Sequence, residues 1–204
     1  MGSKVMIKNI LKKLIQNLSL RRIVWSMPKK HGICVTFDDG PHIDNTPRIL
    51  DILKRHDCKA VFFIIGELAE KNREIVNEIV AQGHQVGNHS YSHTPVKDLT
   101  LTGYLKDIKK CNKTLNEILG TSCRYIVRPP YGYLNPFATF WLLLSGYQIM
   151  MWTHDSNDSY VHSASELLEE VNKINLSSGN ILLMHDDYSH TLEALDQILI
   201  SIKS

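Results

Sequence analysis

The sequence predicts an α/β fold in the form of a (β/α) barrel. Segments with strand character and segments with helix character alternate along most of the chain, which favours a parallel sheet closed by right-handed crossovers. Five clusters of polar residues each follow directly after a predicted strand, at the edge where barrels of this kind assemble their sites. The 204 residues, 43% hydrophobic and 22% charged, can bury one core.

The elements are predicted from hydrophobic periodicity and from residues that start or stop helices. Short apolar runs predict strands at residues 33–38, 60–65, 84–88, 125–128, 147–152 and 181–185. Amphipathic spacing predicts helices at residues 47–56, 67–82, 100–119, 137–144, 163–174 and 191–200. Thr46 is the predicted cap of the first helix, and Ser163 with Glu166 forms a capping box. Gly120 marks the end of the longest helix.

Residues 1–30 differ in charge from residues 31–204, which form the predicted α/β domain. Eight basic residues precede the first acid: Lys4, Lys8, Lys12, Lys13, Arg21, Arg22, Lys29 and Lys30. Apolar residues at helical spacing lie opposite them: Ile7, Ile10, Leu11, Leu14, Ile15 and Leu18. The pattern predicts an extra N-terminal amphipathic helix. Two alternatives stay open, peripheral contact of residues 4–30 with an anionic membrane surface and packing of the apolar stripe on the domain.

Other features of the sequence predict where the protein is located and which partners it has. No apolar core of about 7–15 residues precedes a small-residue cleavage site, so we expect no signal peptide and a cytoplasmic protein. Peripheral contact with the inner membrane face stays open as one of the two alternatives for the basic segment. Four cysteines without a Cys-x-x-Cys pair predict buried thiols in a reducing compartment. The uncharged stretch 129–153 is interrupted by Pro136 and Gly146, which favours a buried helix and strand over a membrane span. Basic and aromatic residues do not interleave in the body, so no nucleic-acid partner is expected.

The polar clusters suggest a metal site beside an acid–base pair. Asp38 and Asp39 end an apolar run before Gly40-Pro41, and adjacent side chains of a strand point to opposite faces, so the two carboxylates can serve one site only if the strand ends there. His89 and His93, four residues apart, can direct two imidazoles at one cation. A third ligand from Asp39 would complete a two-His-one-carboxylate set that leaves coordination positions open.

In order, the five clusters resemble those of the polysaccharide deacetylase family, which has the NodB homology domain and is also called carbohydrate esterase family 4. They are Asp38-Asp39, the pair His89 and His93, Arg128 to Tyr131, Asp155 to Asp158, and Leu183 to Asp186. The resemblance covers the chain from about Ile33 onward and implies a distorted NodB-like barrel of about seven strands. It implies that Asp39, His89 and His93 bind a divalent metal ion, with zinc as the first expectation and cobalt, nickel or another divalent ion as alternatives.

The same resemblance implies the remaining roles. Asp38 would be the general base and Arg128 its ion-pair partner. His185 would be the general acid, held and polarised by Asp158. The Tyr131 backbone N–H would stabilise the tetrahedral oxyanion.

The resemblance also concerns the slot for the acyl group and one wall of the substrate groove. By resemblance, Leu183 lines the slot for the acetyl methyl group. The family usually has tryptophan after the second acid of Asp-x-x-Asp, whereas this chain has Ser159 and Tyr160. One wall of the substrate groove is therefore altered, while every expected ligand and proton-transfer group is retained.

The resemblance implies a metal-dependent N-deacetylase that acts on an N-acetylhexosamine unit in an oligosaccharide or glycan. One alternative is hydrolysis of another non-peptide C–N bond, in a formamide or a small amide. Another is a non-catalytic carbohydrate-binding descendant. A binding module would have no use for a base and an acid placed around a metal, so the retained set favours an enzyme.

Overall fold

The chain folds as a distorted (β/α) barrel in the computed structural model, which describes residues 22–122 and 124–202. The strands are β1 (Ile23–Val24), β2 (Cys34–Gly40), β3 (Ala60–Ile64), β4 (Gln85–Asn88), β5 (Ile149–Met150), β6 (His154–Asp155) and β7 (Ile181–His185). All their pairings are parallel, in the order β4-β3-β2-β7-β6 and, separately, β1-β5. Val127 joins the two sheets because it bridges Asn88 on one side and Ile149 on the other. The predicted fold class is confirmed.

Seven helices surround the strands within the described residues. They are α1 (Asn45–Arg55), α2 (Gly66–Lys71), α3 (Arg73–Ala81), α4 (Leu101–Leu119), α5 (Pro136–Leu144), α6 (Ala164–Lys173) and α7 (Ser189–Ser201). The central strands β2, β3 and β7 are buried along almost their whole length. The main core lies between this sheet and the helices beside it, and it contains Phe37, Leu50, Phe62, Met184 and Leu195. The buried sheet gives the polar residues at its carboxyl edge a rigid support.

The structure agrees closely with the predicted bounds of three elements, and it shows the hydrogen bonds that cap two of them. β7 spans the predicted residues 181–185. The Thr100 hydroxyl caps α4 by accepting a hydrogen bond from the Gly103 backbone N–H, and Gly120 ends α4 in the left-handed region with φ of 61°. In the capping box before α6, Ser163 accepts from the Glu166 backbone N–H. The Glu166 carboxylate accepts from His162 rather than from the cap residue itself.

Two helix predictions were wrong in detail. The single helix predicted at residues 67–82 is two helices, broken at Asn72, whose φ is −128°. The Asn72 side-chain amide donates to the carbonyls of Pro41 and Leu68, which offers the chain an alternative to a continuous helix. Thr46 lies inside α1 and does not cap it, because its hydroxyl donates to Asp186 Oδ2.

Two strand predictions were too long, and two short strands, β1 and β6, were missed. Of the predicted strand 125–128 only the Val127 bridge remains, because prolines without a backbone N–H follow at once. The predicted strand 147–152 shrinks to β5 because the chain then leaves β1 and joins β7 as β6.

The predicted leader helix lies mostly outside the described residues, as do its apolar stripe and the basic residues from Lys4 to Arg21. Where the described chain begins, the helix prediction was wrong: Ile23 and Val24 are a strand that pairs with Ile149 and Met150. The branched side chains of Ile23 and Val24 suit a strand on the free edge of β5.

Two sequence expectations concerned burial and the membrane. Among the described cysteines, Cys111 is buried, and Cys34 and Cys58 are partly buried. No helix in the described part of the chain has the length and hydropathy that a membrane crossing requires.

Candidate active site

The predicted site residues converge on one cavity at the carboxyl ends of the strands. The cavity has a volume of about 290 Å³. Its lining includes Asp38, Asp39, His89, His93, Tyr131, Leu183 and His185. Arg128 and Asp158, the other two predicted residues, are buried behind the lining and contact it. The structure therefore brings all nine predicted residues together.

The end of β2 directs two adjacent carboxylates into this cavity. The register between β2 and β3 shifts between Phe37 and Gly40. Asp39 has a φ of 71°, a left-handed conformation that few non-glycine residues adopt. Because a regular strand would point the two side chains to opposite faces, this irregularity lets both Asp38 and Asp39 reach the cavity.

Asp39, His89 and His93 form a compact set of ligand atoms, all within 4.8 Å of one another. Asp39 Oδ1 lies 2.9 Å from His93 Nε2 and 3.3 Å from His89 Nε2. His93 has a φ of 55°, and its backbone N–H donates to the Ser90 hydroxyl. The geometry is that of a carboxylate between two imidazoles.

The second nitrogen of His89 shows that the set fits a cation. His89 Nδ1 lies 2.8 Å from the Arg128 carbonyl oxygen, so Nδ1 carries the hydrogen in the neutral ring and Nε2 offers its lone pair to the cavity. That lone pair then faces Asp39 Oδ1, a buried oxygen that receives no hydrogen bond while the nitrogens of His89 and His93 that face it carry no hydrogen. Two acceptors in contact require a cation or a proton between them, and a divalent ion meets that requirement.

The electrostatics of this cluster favour bound positive charge. Burial acts to raise the pKa of Asp39, but the hydrogen bonds and charges of His89 and His93 outweigh it and hold this pKa well below its usual range. Burial acts to lower the pKa of His89, but the carboxylates of Asp38 and Asp39 outweigh it and raise this pKa. The protein without a metal therefore attracts protons to the positions that a metal ion would occupy.

Arg128 holds Asp38 from behind. Its Nη1 donates to Asp38 Oδ1 at 2.7 Å and to the Thr36 hydroxyl at 2.8 Å. The remaining guanidinium donors reach the backbone carbonyls of Met150 and Met151. Because the guanidinium binds Asp38 through Oδ1 alone, the other carboxylate oxygen, Oδ2, is left to act in the cavity.

Asp158 holds His185, the last residue of β7, which lies beside β2 in the sheet. His185 Nδ1 lies 2.7 Å from Asp158 Oδ1, and the His185 backbone N–H donates to Asp158 Oδ2 at 2.7 Å. Burial acts to lower the pKa of His185, but the hydrogen bond and charge of Asp158, with the charges of Asp38 and Asp39, raise it to about 9. His185 Nε2 points toward the candidate metal ligands and lies 4.0 Å from Asp39 Oδ2.

The walls of the cavity are aromatic and apolar. Tyr131 has a φ of 58°, and its ring packs against His93 with 4.8 Å between centroids. The next residue must be glycine, because a side chain on Gly132 would collide with the Trp152 ring. Leu183 is 4% exposed and contributes an apolar patch to the lining.

Sequence reasoning gave no role to several residues around the cavity, three of which carry ionisable side chains. Asp155 and Tyr188 line it. Asp186 is buried, its pKa is raised to about 7 chiefly by burial, and it accepts a hydrogen bond from Thr46. Its carboxylate fills the space beside Gly40 where a side chain would otherwise lie. The only sequence signal for Asp186 was its position directly after His185.

Comparison with known proteins identifies one family. Residues 26–150 match the family model described as polysaccharide deacetylase. A peptidoglycan-N-acetylglucosamine deacetylase of Bacillus cereus is 36% identical over 179 residues, which are 86% of this chain and 64% of that protein. The peptidoglycan-N-acetylmuramic acid deacetylase PdaC of Bacillus subtilis is 30% identical over 84% of this chain but only 36% of its own length. The chain thus spans less than two thirds of both relatives.

Solved structures agree with the sequence matches. The crystal structure of a peptidoglycan N-acetylglucosamine deacetylase is similar with a TM-score of 0.82 and 34% identity, over 89% of this chain and 86% of the other. A pseudoenzyme of carbohydrate esterase family 4 from Bacillus anthracis is similar with a TM-score of 0.79 and 30% identity, over 89% of this chain and 64% of the other. Similarity of fold therefore extends to proteins described as active and to one described as inactive.

Proposed function

The chain belongs to the polysaccharide deacetylase family, and we propose that it is a metal-dependent deacetylase of N-acetylhexosamine units in an oligosaccharide or glycan. The observation that carries the proposal is the pairing of two held groups beside the ligand set: Asp38 bound by Arg128, and His185 bound by Asp158. A base and an acid at one candidate metal site are what hydrolysis of an amide needs. The names of the relatives support an N-acetylated glycan as substrate.

Asp39, His89 and His93 would hold the divalent ion, with zinc as our first expectation. When bound, such an ion acts as a Lewis acid and lowers the pKa of water from about 16 to roughly 7. Asp38 takes the proton of the attacking water through its free Oδ2 oxygen. Arg128 fixes the orientation of that carboxylate through Oδ1.

The remaining residues complete the reaction at the amide. The water oxygen bonds to the acetyl carbonyl carbon, and the Tyr131 backbone N–H donates to the oxyanion that forms. The C–N bond then breaks as His185 gives a proton from Nε2 to the departing amine nitrogen. Asp158 holds the His185 ring in place and stabilises its charged form. Leu183 contacts the acetyl methyl group, and the products are acetate and the free amino sugar.

Two rival functions differ from this proposal in the product they predict. Hydrolysis of an amide with a different acyl group would release another acid, and few residues define the slot that would select the acyl group. A non-catalytic descendant would release nothing, and the pseudoenzyme relative shows that the fold permits this. The retained base, acid and ligand set favours hydrolysis.

The test is product release across a substrate panel. Chelator-treated protein, reloaded with zinc, cobalt or nickel, would be given N-acetylglucosamine oligomers, peptidoglycan fragments, lipid-linked N-acetyl sugars and small amides. We expect metal-dependent acetate release from a glycan, abolished in Asp38→Asn. Activity on small amides alone would favour the first rival, and binding of glycans without any release would favour the second.

A further inference from the structure

Helix α5 carries an apolar surface on its solvent side. Its residues are Pro-Phe-Ala-Thr-Phe-Trp-Leu-Leu-Leu, without a charged side chain. Phe137, Trp141 and Leu144 are 46%, 44% and 53% exposed. Their spacing places them on one face of the helix, while Leu142 and Leu143 are buried in the core. We call Phe137, Trp141 and Leu144 the α5 face.

A helix that is apolar on both its inner and its outer side is unusual in contact with water. A surface helix normally places polar residues opposite its buried stripe. Contiguous exposed apolar side chains mark an interaction surface more often than scattered ones do. The α5 face therefore requires a partner that accepts aromatic and aliphatic side chains.

The surroundings of the α5 face are basic. Arg22 Nη1 donates to the Leu143 carbonyl oxygen at 2.8 Å, and the Arg124 guanidinium lies beside Gly146. Both arginines are therefore at the carboxyl end of α5. From Arg22 toward the N-terminus, the sequence continues into a segment with no acid.

We propose that the α5 face docks on an anionic lipid surface. Aromatic and aliphatic side chains that enter the boundary of the bilayer, flanked by cations that meet the headgroups, are the composition of interfacial helices. A second copy of this chain fits less well, because a symmetric contact would bring the same arginines close together. A lipid surface accommodates both the apolar side chains of the α5 face and the arginines beside it.

This surface is separate from the membrane contact predicted for residues 4–30, and it does not depend on the proposed function. It does have a consequence for the cavity. Helix α5 begins just after the turn that holds Tyr131 and Gly132, both of which line the cavity. Docking through α5 would hold the mouth of the cavity close to the lipid surface.

The first test is sedimentation of the full chain with vesicles of phosphatidylcholine, with and without phosphatidylglycerol. The variant is Trp141→Gln with Leu144→Gln. The control is Val80→Gln with Ile200→Gln, which removes two apolar side chains of similar exposure from α3 and α7. We expect binding to the anionic vesicles only, roughly tenfold weaker in the α5 variant and unchanged in the control. Thermal unfolding of all three proteins establishes that each is folded.

The second measurement identifies the residue that enters the lipid. Brominated lipids in the anionic vesicles should quench the tryptophan emission of the full chain, and Trp141→Phe should remove most of that quenching. Equal vesicle binding by the α5 variant and the full chain would overturn the proposal, since the basic segment alone would then account for binding. Self-association that the α5 variant abolishes, without vesicle binding, would overturn it in favour of a second copy.

Discussion

The cavity contains histidines with two different proposed tasks. We call Asp39, His89 and His93 the ligand side of the cavity, and His185 with Asp158 the acid side. On the ligand side, His89 Nδ1 contacts the neutral carbonyl of Arg128 at 2.8 Å. On the acid side, His185 Nδ1 contacts the Asp158 carboxylate at 2.7 Å. A carbonyl fixes the neutral tautomer and leaves a lone pair for a metal, whereas a carboxylate stabilises the charged ring, from which a proton can then be given. The partner of the inner nitrogen therefore suits His89 to the proposed role of ligand and His185 to the proposed role of acid.

The two sides also differ in how the backbone directs the side chains. On the ligand side, Asp39, Ser90 and His93 have φ values of 71°, 66° and 55°. On the acid side, His185 ends the regular strand β7, and Asp158 is buried behind it. Left-handed residues of this kind persist only where the surrounding structure holds them. The ligand side therefore contains three such residues, whereas the acid side contains one, Asn157 beside Asp158, with φ of 63°.

The largest expected effect separates the two neighbouring carboxylates. Asp39→Asn should lose both bound metal and turnover, because it removes a charged ligand. Asp38→Asn should keep the metal and lose turnover, because it removes only the proton acceptor. Elemental analysis of the purified proteins, together with acetate release, checks both. Near-normal turnover in Asp38→Asn with metal bound would show that another residue is the base.

The next effect isolates the acid side. His185→Ala should lower the rate roughly 10²–10⁴-fold while the metal content is unchanged, because His185 donates a proton but is not among the predicted ligands. His93→Ala is the matched change on the ligand side, and it should lose metal. If His185→Ala also lost its metal, the division of the site into two sides would be wrong.

The sequence was sufficient to predict which side chains meet in the cavity. The Asp38-Asp39 pair, the two histidines four apart and the strand before His185 pointed to the candidate ligands, base and acid, with roles that the family resemblance implied. Their positions follow from the fold, since parallel strands bring their carboxyl ends to one edge.

The sequence was not sufficient for contacts between distant elements. The Asn72 break between α2 and α3 depends on the Pro41 carbonyl, and the role of Thr46 depends on Asp186. β6 forms because the edge of β7 is free to pair with it. No local pattern in residues 154–155 predicts that pairing. Such tertiary contacts override local propensity, so they become visible only in the fold.

A smaller effect tests how Asp158 makes His185 an acid. Asp158 is the main group that raises the pKa of His185 to about 9 against the effect of burial. In Asp158→Asn this pKa should fall toward the ordinary value of about 6.5, and the rate should fall roughly 10–100-fold. Nuclear magnetic resonance titration of the chelator-treated proteins would follow the His185 ring directly.

The same pKa has a consequence for stability. Because the pKa of folded His185 lies above its unfolded value, the stabilisation is fully present below about pH 6.5 and is lost as the pH rises through about 9. The difference in melting temperature between the chelator-treated wild type and Asp158→Asn should therefore shrink across that range. A constant difference would mean that Asp158 contributes by packing and not through the charge of His185.

The smallest effect concerns the group behind Asp158. The Thr191 hydroxyl donates to Asp158 Oδ2 at 2.9 Å, the oxygen that also accepts from the His185 backbone. Thr191→Val keeps the shape of the side chain and removes this one hydrogen bond, which is worth about 1 kcal/mol. Since Asp158 keeps its other bonds to His185 but loses a donor that neutralises part of its charge, we expect a slightly higher pKa of His185, a few-fold fall in kcat and an unchanged metal content.

A matched substitution distinguishes this effect from a general loss of stability. The Thr114 hydroxyl donates to Glu70 Oε1 at 3.2 Å, and neither residue lines the cavity. Thr114→Val should therefore lower the melting temperature by a similar amount and leave kcat and the His185 titration unchanged. If both variants changed the titration equally, or if neither did, Thr191 would only support the fold, and the acid side would consist of Asp158 and His185 alone.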